Sequence, residues 1–581
     1  MTPPRHTVRR DVPVLLVVAS AVLVAWAFIV PIFEAPDEFL HWQYARHLHD
    51  HWRLPIYGPT FAEANSPPLY YAAVAPAATQ TTTPPLAIWV DATGAHSMPL
   101  APHLYLSSEH DLRHYWPIRR TRLLSALMSL GTIALCGLAA FEVTGRVSTA
   151  LLAAGFAAFL PQFSFRGTHV SNDALVTTMA AWTLILMLRI VCRGFTWRRG
   201  VLAAIALAAA YLSKINAIAL APALALVIVT EPGLWRQRVT RLSVLGVALA
   251  IVAPWSMRNV MLYGDPFASG AMHTAVAGMV SERSLWDPHF ITTFPRELFK
   301  SFIGSFGHLN LWLPKWIHAL YMAFMLVATT GFLRRTLRDP AFRRLAAVLV
   351  TTILCSYAVA LHINLTFDQP QGRYLFPALP AIMVLLAVGL EDWRPWASGQ
   401  RWPARATVGV WAAANLAILG FIVYPAYYPP TVSTISRAML VVRPRPAQHL
   451  ANGPNADEYT ITGPRPELQA DVRVPTVDAG FTFFDLEGQL PSRDQRGSIL
   501  YTLEDRDDRG VVTHEIATRF EWRADGQRRT VFVALLKDPR WTGTVTRVRL
   551  RLVDKAGDAD RGRSLRLRNV RLAGSLPGHD F

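Results

Sequence analysis

The stretch VLLVVASAVLVAWAFIVPIFEAPDEFLHWQYARHL, residues 14–48, joins two kinds of sequence that soluble proteins keep apart. Residues 14–32 carry no charge and are long enough to cross a bilayer. Glu34, Asp37 and Glu38 then fall within about one helical turn, with His41 just beyond. The long apolar core has no small-residue cleavage site, so it reads as a retained helix rather than a signal peptide. Pro36 suits the start of a second helix, where its missing N–H costs nothing. On that helix Asp37, His41 and Tyr44 share one face. Taken alone, the acidic run reads equally well as a solvated helix at the membrane surface, because interfacial charge is common.

The rest of the chain repeats the apolar half of this pattern. Of 581 residues, 52% are hydrophobic and only 17% charged, where a soluble protein carries about 25% charge. Further apolar blocks lie at 123–141, 147–163, 175–191, 201–212, 215–229, 244–255, 316–333, 345–360, 375–390 and 408–424. With the first block they make about eleven candidate spans, the pattern of a polytopic α-helical membrane protein. Arginine sets the orientation. If Arg5, Arg9 and Arg10 are cytoplasmic, the basic loops holding Arg146, Arg193, Arg236, Arg334 and Arg401 fall on the same side. The first loop, 33–120, and the C-terminal region then face outward, at an inner or plasma membrane. The net charge of +17 is spread over these short loops and the C-terminal region, which fits anionic membrane surfaces and excludes nucleic acid as the expected partner. The three cysteines, Cys136, Cys192 and Cys355, show neither metal spacing nor a disulfide framework.

After Pro430 no block is long and apolar enough to span. Short alternating runs replace them: RTVFVALL, TRVRLRLV and SLRLRNVRL. Val548, Leu550 and Leu552 alternate with arginines, the period of half-buried strands. The expected organisation is a transmembrane domain, 1–428, followed by an extracytoplasmic region, 429–581, that holds a β-sandwich of roughly 130 residues.

Several polar motifs gather on the outer side, at span ends. They are NSPPLYYAA (65–73), with Tyr70, and THVSNDALVTTMA (168–180), with Asp173. YLSKINAIALAP (211–222) brings Lys214, APWSMRNVMLYGDPF (253–267) brings Arg258, and FDQPQGRYLFPALP (367–380) brings Gln371 and Arg373. Together with EAPDEFLHWQYA, this ordered set resembles the GT-C superfamily of integral membrane glycosyltransferases, and within it the DUF2142 branch. The similarity runs from about residue 33 to residue 380. The C-terminal region is similar to the carbohydrate-binding-like sandwich tails of some actinobacterial arabinosyltransferases.

The resemblance implies a polyprenyl-phosphate sugar as donor and a polysaccharide or glycolipid acceptor on the outer face. It implies that Asp37 is the base, with Glu38 as its acidic neighbour and Asp173 as a second acidic position. Arg373 is the best match for the donor phosphate, followed by Lys214 and Arg258. A divalent metal is left open, with Asp37 and Asp173 as its ligands if there is one. The chemistry suits these residue types. A carboxylate within about 3 Å of a sugar hydroxyl can take its proton as the glycosidic bond forms. The phosphate leaves as an anion, and arginine stays charged and grips phosphate oxygens with two N–H groups. Base and clamp on opposite sides of the anomeric carbon predict single displacement with inversion.

Bland readings stand beside these. SND is also an N-cap cluster, Lys214 and Arg258 are also interfacial anchors, and His41 is a hydrogen-bonding partner of Asp37 rather than a metal ligand. Tyr70 stacks on a sugar or lipid, or only stiffens a turn. The runner-up function is a transporter or flippase for a lipid-linked sugar. It calls for ionisable groups near the bilayer midplane and internal repeats; the mid-span positions are nearly free of charge and show no repeat.

Overall fold

The computed structural model describes residues 5–57, 63–79, 86–91, 94–99, 116–275, 280–307, 309, 311–393, 401–427, 439–507, 510–526, 528–535 and 540–574. The chain divides into two compact units, Met1–Gln80 with His114–Tyr424, and Thr81–Arg113 with Pro425–Phe581. The loop expected at 33–120 is thus shared between the units, and its residues 58–62, 80–85, 92–93 and 100–115 lie outside the described ones.

The first unit is helical, as a bilayer requires, because lipid offers the backbone no hydrogen-bond partner. Its opening helices are α1 (Arg5–Ile29), α2 (Glu38–His51), α3 (Leu69–Val74), α4 (Trp116–Thr144), α5 (Val147–Ala158), α6 (Pro161–Arg166), α7 (Asp173–Arg193) and α8 (Trp197–Ser213). Every apolar block read from the sequence is largely helical, although 14–32 outruns α1 and 147–163 is broken at 159–160 between α5 and α6. Among the described residues, eight helices are long and apolar enough to cross a membrane. The expected count of about eleven also included α5, the segment Ile215–Val229 and α8, which are shorter. Leu249, Met261, Leu326 and Phe421 on the long helices stay exposed, the pattern of a surface meant for an apolar solvent.

Inward faces pack through small residues. A Cβ on Gly389 would lie 1.8 Å from the Ala328 carbonyl oxygen. Only glycine lets helices Lys315–Arg338 and Leu379–Asp392 cross this closely.

The second unit is all β in its C-terminal part. Among the described residues twelve strands form one connected sheet, organised by the 27-residue strand Phe481–Asp507. Its first part pairs with Arg529–Ala534 and Ser564–Ala573, and its second part with Gly510–Asp525 and Thr544–Arg551. The register shifts between Gln489 and Asp494, where the pairing passes from one set to the other. Phe484 from the first part and Tyr501 from the second enter the same apolar core, with Trp522 and Trp541. The three alternating runs read from the sequence are strands here, and Val548 and Leu550 point into that core. The hairpin Leu86–Asp91/Gly94–Pro99, from the first loop, adds to the edge by parallel pairing of Ala87–Val90 with Thr530–Val533.

Candidate active site

The site begins where α1 ends. Proline at position 31 cannot continue a helix, and the last carbonyls of α1 need partners. Two buried arginines of α4 supply them. Arg119 donates to the Ala27 and Val30 carbonyls. Arg122 Nη1 donates to the same two at 2.8 and 2.7 Å, and its Nη2 to Pro31 at 2.7 Å. A helix C-terminus favours cations. The same guanidinium grips Glu38 with two bonds, Nε to Oε1 at 2.7 Å and Nη2 to Oε2 at 2.6 Å. Glu38 also accepts from the backbone N–H groups of Phe33 and Val170, at 2.7 and 3.1 Å. Both oxygens are used and the residue is buried. Burial, the largest influence, would raise its pKa, but the Arg122 charge, His169 and the hydrogen bonds from Arg122 and Val170 together outweigh it and hold the carboxyl at about 2. Glu38, expected as a catalytic partner, is here the fastening of the turn.

That turn is strained. Phe33 and Asp37 both have φ of 65°, a region bulky L-residues avoid. Such conformations persist only where the surroundings dictate them, and they gather at functional sites. Asp37 is the N-cap of α2 and yet makes no capping hydrogen bond, although capping is the usual work of an aspartate there. Its Oδ2 instead accepts from Arg373 Nη2 at 2.7 Å. Burial pushes the Asp37 carboxyl up, but the groups around it, Arg373 foremost by charge and hydrogen bond, together hold it below the usual carboxylate range.

Asp173 stands at the first turn of α7. Its Oδ2 accepts from Arg166 Nη2 at 3.0 Å and from Ser171 Oγ at 3.1 Å, and its Oδ1 from Lys214 Nζ. Arg166 also donates to the Pro36 carbonyl at 2.9 Å, which ties this network to the Asp37 turn. Lys214 and Arg373 both lie over the Tyr374 ring, at 5.7 and 5.8 Å from its centre.

Beyond Asp37 lies a second group. His41 Nδ1 and Tyr71 Oη are 2.8 Å apart, and Glu63 Oε2 is 3.8 Å from the same nitrogen. Tyr44 stacks on Tyr71 with ring centres 3.7 Å apart. Burial lowers the His41 pKa to about 3, so its ring is neutral. Burial and then the Asp37 charge raise Glu63 to about 7.

The expected site residues therefore separate. Asp37, Asp173, Lys214 and Arg373 come together, with His41 behind Asp37. Gln371 lines the small cavity beside Arg373, together with Arg166 and Ser301. Arg258 is placed differently. It donates to the Pro55 carbonyl at 2.7 Å and lies over Trp255, and none of its described bonds reaches the cluster. Tyr70, expected as a substrate contact, is fully buried. Its hydroxyl accepts from the Ser171 N–H at 2.9 Å and meets Ser125 Oγ at 2.8 Å, so it braces the Asp173 turn. Tyr71 is the neighbour that meets His41. Sequence reasoning missed Arg122, Arg166 and Glu63. A single arginine between aromatic and glycine residues, as in FSFRG, was the available signal for Arg166.

The metal question also changes. Asp173 has its oxygens taken by two cations, so the pair Asp37 and Asp173 does not fit an ion. Asp37, His41 and Glu63 place one ligand atom each within 4.8 Å of one another. Two carboxylates and a neutral imidazole are a fitting donor set for a divalent cation, with Arg373 as its competitor on Asp37.

Comparison with known proteins falls on the same region. Residues 112–257, which carry Arg122, Arg166, Asp173 and Lys214, match the family described as dolichyl-phosphate-mannose-protein mannosyltransferase. Among solved structures, the chain is similar to ArnT from Cupriavidus metallidurans bound to undecaprenyl phosphate, at 17% identity over 71% of this chain and 67% of that one, TM-score 0.45. It is also similar to the archaeal oligosaccharyltransferase AglB from Archaeoglobus fulgidus in complex with an inhibitory peptide and a dolichol-phosphate, at 15% identity over 74% and 57%, TM-score 0.39. No curated protein matches the chain.

Proposed function

We propose that the protein is a membrane glycosyltransferase of the GT-C superfamily, in its DUF2142 branch, that moves a sugar from a polyprenyl-phosphate donor to an extracytoplasmic glycan or lipid-linked acceptor. Asp37 takes the proton of the acceptor hydroxyl. The acceptor oxygen bonds to the anomeric carbon as the bond from that carbon to phosphate breaks, and the electron pair leaves on the phosphate. Arg373 holds that anion, with Lys214 close by, and the single displacement inverts the anomeric centre. Asp173 keeps Arg166 and Lys214 in place. The N-terminus lies in the cytoplasm, and the site and the C-terminal β region on the other side, where that region meets carbohydrate.

The observation that carries this reading is the conduct of Asp37. A strained N-cap residue that forgoes its cap and points its carboxylate at a buried arginine supports reading the two as proton acceptor and anion clamp. The match of residues 112–257 to a family named for a polyprenyl-phosphate sugar donor supports the same chemistry. The charged groups of the cluster stand at helix ends rather than mid-span, and no observation favours the transporter.

The test is transfer of radiolabelled sugar from a polyprenyl-phosphate donor to candidate acceptors by the purified protein. Wild type transfers, and Asp37→Asn falls by about 10²–10⁴-fold, the usual contribution of a general base, with thermal unfolding little changed. Normal transfer by Asp37→Asn removes the base assignment. Movement of lipid between leaflets without transfer makes the protein a transporter.

A further inference from the structure

We infer that Asp37 and the donor phosphate compete for Arg373, so that seating the donor is what releases the base. This rests on the reading of Asp37 as base and Arg373 as phosphate clamp.

The ion pair is built to exchange. Arg373 is buried at 8% exposure, yet it meets Asp37 through Nη2 alone. Its Nε has no hydrogen-bond partner among the described residues. A guanidinium that grips a carboxylate well uses two parallel N–H groups. Here one edge is only half used, and a buried N–H left over is unfavourable. Asp37 is equally under-committed. It is one-third exposed on its side chain and makes no cap bond. A phosphodiester offers two non-bridging oxygens at the spacing of the Arg373 Nε–Nη2 edge. It satisfies both N–H groups where Asp37 satisfies one.

The other charges of the cluster point to this pair and not another. Arg166 and Lys214 both serve Asp173, whose two oxygens are filled and which is buried at 1% exposure. His41 and Glu63 face Asp37 from the other side. Arg373 is therefore the cation whose carboxylate partner is both singly bonded and reachable. When phosphate takes Arg373, Asp37 loses the neighbour that weakened it as a base. Its carboxylate is free of the ion pair only while a donor is present. The proton then passes from the acceptor hydroxyl to Asp37, and the donor phosphate keeps the electron pair of the broken glycosyl bond. A water molecule or acceptor that arrives before the donor meets a carboxylate tied to arginine.

The test measures equilibrium binding of undecaprenyl phosphate to the full-length protein in nanodiscs, for wild type, Asp37→Asn, Arg373→Gln and the double variant. Competition predicts that Asp37→Asn, though inactive in transfer, binds the lipid phosphate more tightly, on the order of tenfold. Arg373→Gln binds it weakly, and adding Asp37→Asn to that background gives no gain, because the two effects pass through one pair. If Asp37→Asn folds poorly, Asp37→Ser takes its place. Equal or weaker binding by the Asp37 variant overturns the inference. So does a gain of the same size in the Arg373→Gln background, which would be a general field effect. Either result, with wild type still transferring sugar and Asp37→Asn not, leaves the transferase reading standing. Absence of transfer by wild type removes that reading instead.

Discussion

Asp37 and Glu38 are neighbours in the chain, and each carboxylate faces an arginine. Glu38 and Arg122 share two hydrogen bonds in a fully buried pair, and every remaining bond of both goes to backbone. Asp37 and Arg373 share one, with the carboxylate partly open and an arginine N–H left over. The first arrangement is closed, so nothing can join it without breaking it. The second can accept a guest. The difference is made by the backbone between them, where the left-handed conformation of Asp37 turns its side chain away from the helix that Glu38 begins. Placing a charge at a membrane helix end does not by itself make a site. The site lies where the hydrogen bonding is incomplete.

The strongest way to break the comparison is to open the closed pair. Removing one member of a buried ion pair costs about 3–5 kcal/mol, because the partner stays buried and charged. Glu38→Gln or Arg122→Leu should therefore lose most folded protein, read as yield after detergent extraction and as unfolding temperature. Asp37→Asn, one position away, should cost much less, because its side chain is one-third exposed and the amide oxygen can still accept from Arg373. Glu38→Leu combined with Arg122→Leu should recover part of the loss, since no charge is then stranded. If Glu38→Gln folds like wild type and loses only activity, the two carboxylates have the same role and the contrast disappears.

This contrast was only half legible in the sequence. The spans were legible because lipid demands long uncharged blocks, and the C-terminal strands because TRVRLRLV alternates with period two. Asp37, Asp173, Lys214 and Arg373 could be singled out because each stands as a charge at the edge of an apolar block. What could not be read was who pairs with whom. Glu38 and Arg122 are 84 positions apart, and RTRLLSAL gives no sign that its second arginine caps α1. The pairing of 86–91 with 529–534 is more distant still and rests on packing that no local pattern records. Tyr70 and Tyr71 are adjacent and chemically the same. On a helix they point about 100° apart, and only the packed structure decides which is enclosed and which meets His41.

A smaller effect sharpens the contrast at the clamp. Gly372 precedes Arg373, and its N–H donates to Ser301 Oγ at 2.7 Å. A Cβ there would lie 2.2 Å from the Phe302 backbone nitrogen, so the backbone must move. Gly372→Ala should destabilise by about 1–3 kcal/mol, as overpacking does, and displace Arg373. The expected readout is a raised KM for the donor with kcat less affected, since the proposed roles put donor binding on that guanidinium and the acceptor on Asp37. An unchanged KM would mean that the position of Arg373 does not govern donor binding.

The smallest effect concerns Glu63, on the open side of the same turn. Its carboxyl is raised from 4.5 to about 7, by burial first and then by the charge of Asp37. The folded protein thus keeps a proton that the unfolded chain releases. Stability from this group is present below about pH 4.5 and is lost as the pH rises through about 7. Glu63→Gln removes that loss. Its unfolding temperature should match wild type near pH 5 and exceed it by a few degrees near pH 8. Asp37→Asn should shrink the gap, because the neighbouring charge that holds the proton on Glu63 is gone. Parallel pH curves for wild type and Glu63→Gln would place Glu63 outside the electrostatic reach of Asp37. The open half of the comparison would then consist of Asp37 and Arg373 alone.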